Sequence, residues 1–431
     1  MPIVKLVSEF FGVEEARRLD WRLKHGGYEA ARKALREMTP DEVTQEVVKS
    51  NLRGLGGAGF PTGRKWMFVP KDTDQPKYLA VNCDEAEPGT FKDRYIVEWD
   101  PHRLLEGIII CCYAVGIHQA YIYIRGEYVR PYYRLKRALD EAYAAGIFGP
   151  KVLGFDFSLD VHIHRGAGAY ICGEETGLLE SLEGKKGWPR LKPPFPAVKG
   201  LFGCPTVINN VETLSHLPKI IENGAQWFAD IGVERNGGAR LFALSGHVNR
   251  PGVYELPLGT SLRELIEEHG GGVWKGKKLK GVVPGGTSSG VLSADEIDIP
   301  LTFEALAEKG SMLGSGATIV MDEDTCMVRA LHNVEDFFAH ESCGQCTPCR
   351  EGTNWVYRIL TRIVNGSGIP EDLETLEHLA QNMRGTSICA LCEGARMPLQ
   401  SFLSKFRDEF EYYIKYKRSM VADRAAVTTG A

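Results

Sequence analysis

Two cysteine-bearing stretches, ESCGQCTPCREG at 341–352 and SICALCEGA at 387–395, constrain this chain more than any other feature. The first places Cys343, Cys346 and Cys349 in C-x-x-C-x-x-C, and the second holds Cys389 and Cys392. Two-residue gaps let consecutive thiolates curl around one metal centre, and three in a row supply three corners of a cubane. Whatever the fold, a loop near 346 must then meet a turn near 390. Structural zinc uses two separated C-x-x-C pairs, which Cys346, Cys349, Cys389 and Cys392 could provide. That choice leaves Cys343 idle and separates the pairs by more than a zinc ribbon does. A ferredoxin run would place its fourth cysteine where Thr353 stands. The spacing therefore favours one [4Fe–4S] cluster over zinc or unliganded thiols. It leaves the fourth ligand open between Cys389 and Cys392.

Five of the 11 cysteines fall in these two stretches, which suits reduced thiols and metal chemistry better than a disulfide framework. A chain of 431 residues exceeds one core and divides into two to four domains. With 43% hydrophobic and 25% charged residues, it has the composition of a globular protein. A formal net charge of -5 gives no global basic field and argues against nucleic acid as a partner. The longest apolar run, Ile108 to Ile117, falls short of a membrane span, and no signal-peptide pattern opens the chain. The expectation is a soluble, cytoplasmic protein that other subunits tether if it works at a membrane.

Along the chain, TPDEVTQEVVKS (39–50) reads as a helix. Thr39 is its N-cap, Pro40 fits its first turn, Glu42 is the capping-box carboxylate, and Val43 and Val47 share one face. RGLGGAGFPTGRKW (53–66) follows with the spacing G-x-G-x-x-G at Gly54, Gly56 and Gly59. Because it follows a helix and not a strand, it lacks the context of a Rossmann pyrophosphate turn. YLAVN (78–82), QAYIYIR (119–125) and LDVHIH (159–164) read as strands. LLEGIIICCYAVG and RLKRALDEAYAAG read as helices between them, which implies an α/β layer with a mostly parallel sheet. Cys111 and Cys112 read as buried packing residues. RLFALSGHV, NRPG and VYELP then give strand, turn and strand, and Ser261 with Glu264 caps a helix that stops at Gly270 and Gly271. That order opens a β-grasp module, in which GVVPGGTSSGVL reads as a loop. From 326 onward four amphipathic segments read as a helical bundle with both cysteine stretches at its helix ends. The stretch VADRAAVTTGA reads as a frayed tail.

Two more loops are rich in glycine and acid. VNCDEAEPGTFKDR (81–94) follows a strand and carries Asp84, Glu85 and Glu87, and RGAGAYICGEETGLLESLEGK (165–185) leads through Gly166, Gly168 and Gly173 into Glu174 and Glu175. Glycines allow close backbone approach and free N–H groups for phosphate, whereas carboxylates suit ribose or ribityl hydroxyls. Arg64 and Lys65 can supply compensating charge, and Phe60, Trp66 and Phe68 can stack on an adenine.

Together RGLGGAGFPTGRKW, NCDEAEPGTFKDR, GAGAYICGEET, RLKPPFP, TVINNVETL, ESCGQCTPCREG and TSICAL resemble the flavin-carrying, NADH-oxidising subunits of respiratory complex I. The likeness runs from about Asn51 to the final helices. Related chains serve NAD-linked hydrogenases and formate dehydrogenases. The resemblance implies an α/β fold: a Rossmann-like flavin/NADH domain, a β-grasp (ubiquitin-like) domain and a C-terminal helical bundle. The implied division is 1–62, 63–238, 239–325 and 326–431. It implies FMN against Gly54, Gly56, Lys65, Asn82, Asp84, Glu85, Tyr170, Gly173, Glu174, Asn209 and Asn210. Gly57, Gly59, Gly63 and Gly166 complete the same cofactor loops. NADH would lie against Phe60, Phe68, Glu87, Glu175, Lys192 and Phe195, with Glu87 and Glu175 positioning the nicotinamide and ribose. Cluster ligands would be Cys343, Cys346, Cys349 and Cys389, while Cys392 stands where the family commonly has glycine. The implied reaction takes hydride from NADH onto FMN and passes single electrons to the [4Fe–4S] cluster. Implied partners are a thioredoxin-like [2Fe–2S] subunit and a large multi-cluster subunit in the peripheral arm of a membrane complex, on its cytoplasmic side. The rival readings are a diaphorase subunit of a soluble hydrogenase or formate dehydrogenase, and a zinc-stabilised nucleotide-binding scaffold.

Overall fold

The computed structural model describes residues 4–422, so the tail expected from 421 lies almost wholly outside the described residues. The chain forms two compact units. One takes in residues up to Ala86, Thr90–Phe242 and Val253–Thr260, and the other takes in Glu87–Gly89, Ala243–Gly252 and the residues from Ser261 on.

In the first unit, helix α1 (Pro40–Lys49) begins with the capping box that its sequence specifies. Thr39 Oγ1 accepts from Glu42 N at 3.3 Å and Thr39 N donates to Glu42 Oε2 at 2.7 Å. Such a cap is worth about 1 kcal/mol. Val43 and Val47 are fully buried beneath it. After the glycine loop and a short helix α2 (Thr62–Met67) come β1 (Tyr78–Cys83), β2 (Gln119–Ile124), β3 (Asp160–Arg165) and β4 (Thr206–Asn210). They form one sheet of order β3-β2-β1-β4. Every pairing is parallel, with Leu79 opposite Ala120, Ile122 opposite Ile163 and Ala80 opposite Ile208. The sheet is the α/β layer that the alternating apolar runs imply. Those runs do not mark its fourth strand, because TVINN is short and passes directly into a helix.

Helices α3 (Asp93–Trp99), α4 (Pro101–Val115), α5 (Val129–Ala144), α6 (Glu175–Leu182) and α7 (Val211–Asn223) connect and cover the strands. Almost all of α4 is buried, including Cys111 and Cys112, whose thiols burial pushes well above their ordinary range. Helix α4 packs so closely on α7 that a Cβ on Gly107 would stand 2.1 Å from Leu214 O. Only glycine fits there.

In the second unit, the C-terminal half of β5 (Ala239–Gly246) pairs in parallel with β9 (Ala317–Asp322), Ala243 opposite Ala317. Strand β9 pairs antiparallel with β7 (Leu279–Val283), which pairs antiparallel with β8 (Leu292–Ser293). Strand β6 (Gly252–Pro257) follows β5 after the expected turn, and all of it beyond Gly252 belongs to the first unit. Ser261 Oγ then accepts from Glu264 N at 3.0 Å and starts a helix that widens into a π turn over Leu265–His269. Beyond 326 run α8 (Met327–Glu341), α9 (Thr347–Val364), α10 (Glu371–Met383), α11 (Leu391–Lys405) and α12 (Arg407–Tyr416). The last amphipathic segment, MPLQSFLSKFRDEFEYYI, which reads as one helix, is therefore two. Phe406 breaks it with φ -128° and ψ 29°, outside the helical well. Buried Glu409 ties the sheet to the bundle, pairing with Lys280 and accepting from Met327 N at 3.1 Å.

Candidate functional site

All four strands of the parallel sheet end at one edge, which is where α/β sheets bind ligands. Asn82, near the end of β1, stitches two turns together there. Its Nδ2 donates to Gly173 O at 2.8 Å and its Oδ1 accepts from Asp84 N at 3.0 Å. A Cβ on Gly173 would come within 3.3 Å of Asp84 O, so that turn is held tight. Tyr170 opens the same turn, a single 3-10 turn from Tyr170 to Gly173. Strand β4 delivers Asn209 and Asn210. Asn209 Oδ1 accepts from Trp66 Nε1 at 2.9 Å. Asn210 caps α7 by accepting from Glu212 N at 3.0 Å, and donates from Nδ2 to Asp93 Oδ2 at 2.6 Å.

The opening glycine loop lies against this edge. Leu55 N donates to Thr213 Oγ1 at 2.9 Å, and Gly54 N donates to Phe60 O at 2.8 Å. A Cβ on Gly56 would sit 3.0 Å from Asn210 Cβ, and Gly57 and Gly59 adopt φ +144° and +65°. The loop does follow helix α1, so it is no strand-to-helix turn. Gly63 and Gly166 serve packing: a Cβ would meet Val48 Cγ2 at 2.6 Å and the Tyr123 ring at 2.9 Å respectively.

A row of charges completes the edge. Lys65 Nζ reaches Glu175 Oε2 at 3.1 Å, and Lys192 Nζ reaches Glu175 Oε1 at 2.8 Å and Glu174 Oε1 at 3.0 Å. The other oxygen of Glu174 caps α6, accepting from Thr176 N at 2.8 Å and Gly177 N at 2.9 Å. Burial alone would raise the Glu175 carboxyl, but Lys65 and Lys192 outweigh it and hold it below the ordinary range. Burial would likewise lower Lys192, and the two glutamates more than reverse that. Nearby in sequence, the rings of Phe60 and Phe68 stand 6.0 Å apart and are 47% and 60% exposed. Phe195 is 58% exposed. Apolar rings left in water beside fixed charges suit a ligand with a base and a polar sugar–phosphate.

Glu85 is turned inward. Its carboxylate accepts from Lys92 N and Asp93 N at 2.9 Å each, from Arg94 N at 3.1 Å and from Tyr128 OH at 2.8 Å. Burial and the neighbouring Asp93 charge push it up to about 7 against those donors. Below it, Lys92 bridges Asp93 at 2.8 Å and Glu212 at 2.6 Å, all buried. Burial would raise Glu212, but Lys92, His216 and Arg240 draw it down to about 2. Sequence pattern alone misses this network; its one local signal is the KD pair of FKDR, which follows the acidic turn.

Glu87 belongs to the second unit. Its Oε1 accepts from Ser288 N at 2.7 Å, Ser288 Oγ at 2.8 Å and Thr287 Oγ1 at 3.2 Å, and Oε2 also faces Ser288 Oγ at 2.8 Å. The GGTSSG loop is thus a clamp for a carboxylate as well as a connection of the β-grasp module.

In the same unit Cys346 caps the start of α9 and Cys349 is buried in its first turn, 3.4 Å from Ser342 Oγ. Ile388 N donates to Cys346 Sγ at 3.3 Å, which brings the half-buried Cys389 turn to the C-x-x-C-x-x-C loop. Cys392, fully buried in the first turn of α11, donates to Met383 O at 3.5 Å and lies within hydrogen-bond reach of Cys349. The loop near 346 and the turn near 390 do meet. Among the described residues no three of these side chains converge on one point, but thiols carried on two adjoining loops, with a backbone N–H aimed at one sulfur, have the chemistry that an iron–sulfur cluster takes. The glycine cradle, amides and charge row fit a flavin nucleotide in the same sense.

Comparison with known proteins agrees with this geometry. Residues 47–219 match the family described as Nuo51 FMN-binding domain. Residues 329–413 match the NADH-ubiquinone oxidoreductase-F iron-sulfur binding region, and 241–292 match the SLBB domain. The chain is 56% identical over 393 residues to an F subunit of NADH-quinone oxidoreductase in Rhizobium meliloti, covering 91% of this chain and 93% of that protein. It is 50% identical to the F subunit of NADH-quinone oxidoreductase in Streptomyces coelicolor, over 96% and 91% of the two chains. Among solved structures it resembles a chain of an NAD+-reducing [NiFe]-hydrogenase in the air-oxidized state. That likeness has a TM-score of 0.82 and 36% identity, and covers 92% of this chain and 67% of the other.

Proposed function

The chain belongs to the family of NADH-quinone oxidoreductase F subunits, and on that premise we propose how its residues divide the work of oxidising NADH. It is an oxidoreductase of a multi-subunit NADH-dehydrogenase module, with FMN and a [4Fe–4S] cluster as cofactors. FMN held by the first unit would supply hydride acceptance from NADH, and a cluster held by the cysteine loops would supply one-electron transfer. The protein supplies binding, orientation and charge.

The observation that carries the reading is the row Lys65–Glu175–Lys192–Glu174 at the sheet edge, with Asn82 and Gly173 stitched beside it. Asn82, Asp84, Tyr170, Gly173, Asn209, Asn210 and the 54–59 loop hold the flavin nucleotide. Glu85 supports that site from below by fixing the turn after β1. Lys65 and Lys192 meet nucleotide phosphate or hydroxyls and keep Glu175 ionised. Phe60, Phe68 and Phe195 offer the apolar faces, and Glu87 and Glu175 orient the nicotinamide and ribose. Cys343, Cys346, Cys349 and Cys389 hold the cluster, with Cys392 as a buried neighbour.

No helix among the described residues is long and apolar enough to cross a membrane. In our reading the electrons therefore leave through partner chains, a thioredoxin-like [2Fe–2S] subunit and a large multi-cluster subunit. The assembly would sit on the cytoplasmic side of a membrane. A place in a hydrogenase has the structural likeness in its favour, but the more similar relatives, at 50% and 56% identity, are F subunits.

Two measurements test this assignment. Replacing Cys389 by Ser is expected to abolish loading of about four irons per chain, whereas Cys392→Ser keeps the iron. Iron analysis with EPR after reduction decides, and the reverse pattern makes Cys392 the ligand. The isolated, FMN-loaded chain is expected to reduce ferricyanide with NADH yet show no inhibitor-sensitive quinone reduction. Efficient quinone turnover by the lone chain would make it a self-contained dehydrogenase.

A further inference from the structure

We propose that Ser288 is a positioning residue for the nicotinamide nucleotide, acting by fixing the carboxylate of Glu87. The proposal rests on the reading that Glu87 touches the nucleotide. Ser288 donates twice to Glu87 Oε1, from its backbone N–H at 2.7 Å and its hydroxyl at 2.8 Å, and the hydroxyl also faces Oε2 at 2.8 Å. One residue thus faces both oxygens and sets the rotation of the carboxylate plane, while the Thr287 hydroxyl also donates to Oε1 at 3.2 Å. Donors of this kind, to an ionised acceptor, are the strong class of hydrogen bond.

The backbone is shaped to admit the clamp. Gly286 has φ +93°, and a Cβ there would stand 2.6 Å from Glu87 Cγ, so the close approach requires glycine. On its far side Ser288 is backed by α11. A Cβ on Gly394 would lie 3.2 Å from both Cβ and Oγ of Ser288. Gly394 is two residues beyond Cys392, in the first turn of the helix that follows the cluster-binding turn. Ser288 and Thr287 are each only 8% exposed, so the hydroxyls are held by the fold and do not serve as solvent-facing groups. A packed seam therefore runs from the cluster-bearing helix through Ser288 to Glu87.

The test uses the FMN- and cluster-loaded chain, with NADH as substrate, ferricyanide as acceptor and NAD+ titration of the flavin spectrum for binding. Ser288→Ala and Glu87→Ala are each expected to raise KM for NADH and Kd for NAD+ by about tenfold, with a smaller change in kcat. The double variant is expected to match Glu87→Ala alone, because the serine acts only through the glutamate. Flavin and iron content and the melting temperature establish that each variant folds. If Ser288→Ala does not load, Gly394→Ala crowds the same hydroxyl without removing it and is expected to raise KM in the same direction. A Ser288 effect that persists undiminished in the Glu87→Ala background overturns the positioning role. An unchanged KM in Glu87→Ala overturns the assignment of Glu87 itself, which is a separate failure.

Discussion

The turns after β1 and after β3 are alike in sequence and opposite in electrostatics. Both follow a parallel strand, both are rich in acid, and both lead into a helix whose first N–H groups bind a glutamate. In the first, Glu85 is sealed under three backbone N–H donors and Tyr128, with Asp93 as a like-charged neighbour, and is pushed up to about 7. In the second, Lys65 and Lys192 arrive from other parts of the chain, and Glu175 is drawn below its ordinary range. Burial raises both carboxyls; at Glu85 burial and Asp93 prevail over Lys92 and the donors, whereas at Glu175 the charges and hydrogen bonds of two lysines prevail over burial. The first turn is built to hold shape and the second to hold charge.

Glu85→Ala should break the comparison most severely. It leaves the buried N–H groups of Lys92 and Asp93, and the part-buried one of Arg94, without their acceptor, at a cost of about 3–5 kcal/mol. Chemical denaturation and flavin content of the purified chain check this, and unchanged values would show that the turn holds itself. Lys65→Ala removes a charged hydrogen bond from the second turn and should cost about 1.5–3 kcal/mol, seen as weaker FMN retention or a higher KM for NADH. Wild-type flavin content with unchanged kinetics would make Lys65 an ordinary surface lysine.

A smaller effect sharpens the contrast through pH. The Glu85 value in the fold lies above its ordinary 4.5, so its contribution to stability is full below 4.5 and is lost as pH rises through about 7. The Glu175 value is lowered, so its contribution is present above the ordinary carboxylate range and is lost as pH falls through the lowered value. Melting temperature against pH should therefore fall towards both ends. Glu85→Gln should flatten the neutral side, by about 1 kcal/mol per pH unit, and Glu175→Gln the acid side. The same flattening from both variants would remove the distinction.

Much of this was legible in the sequence where the interaction is local. The capping box of Thr39 and Glu42, strands β1 to β3 and the C-x-x-C-x-x-C loop all depend on residues a few positions apart. The rest depends on long-range partners. Strand β4 has no alternation of its own and is recognisable only beside β1. The break at Phe406 lies within a pattern that stays amphipathic on both sides. Glu85 and Glu87 are two residues apart, yet one is buried by its own turn and the other is gripped by Ser288, two hundred positions away. No spacing rule distinguishes them. The fourth thiol is similar, since the turn carrying Cys389 meets Cys346 through Ile388 N while Cys392 lies within reach of Cys349.

The strand order has a consequence for how the protein is made. Strand β1 lies between β2, which follows it closely, and β4, whose Thr206 pairs with Tyr78. Such a distant pairing is slow to form, because a long stretch of chain must be closed before it contributes. During synthesis β1, β2 and β3 can assemble as soon as they leave the ribosome, but the side of β1 that awaits β4 stays unpaired until residue 210 has emerged. Asn209 and Asn210 are carried by that late strand, so the edge at which we propose the nucleotide binds is completed last. A nascent chain halted before 206 would present an open β-edge, the kind of surface that pairs with other chains.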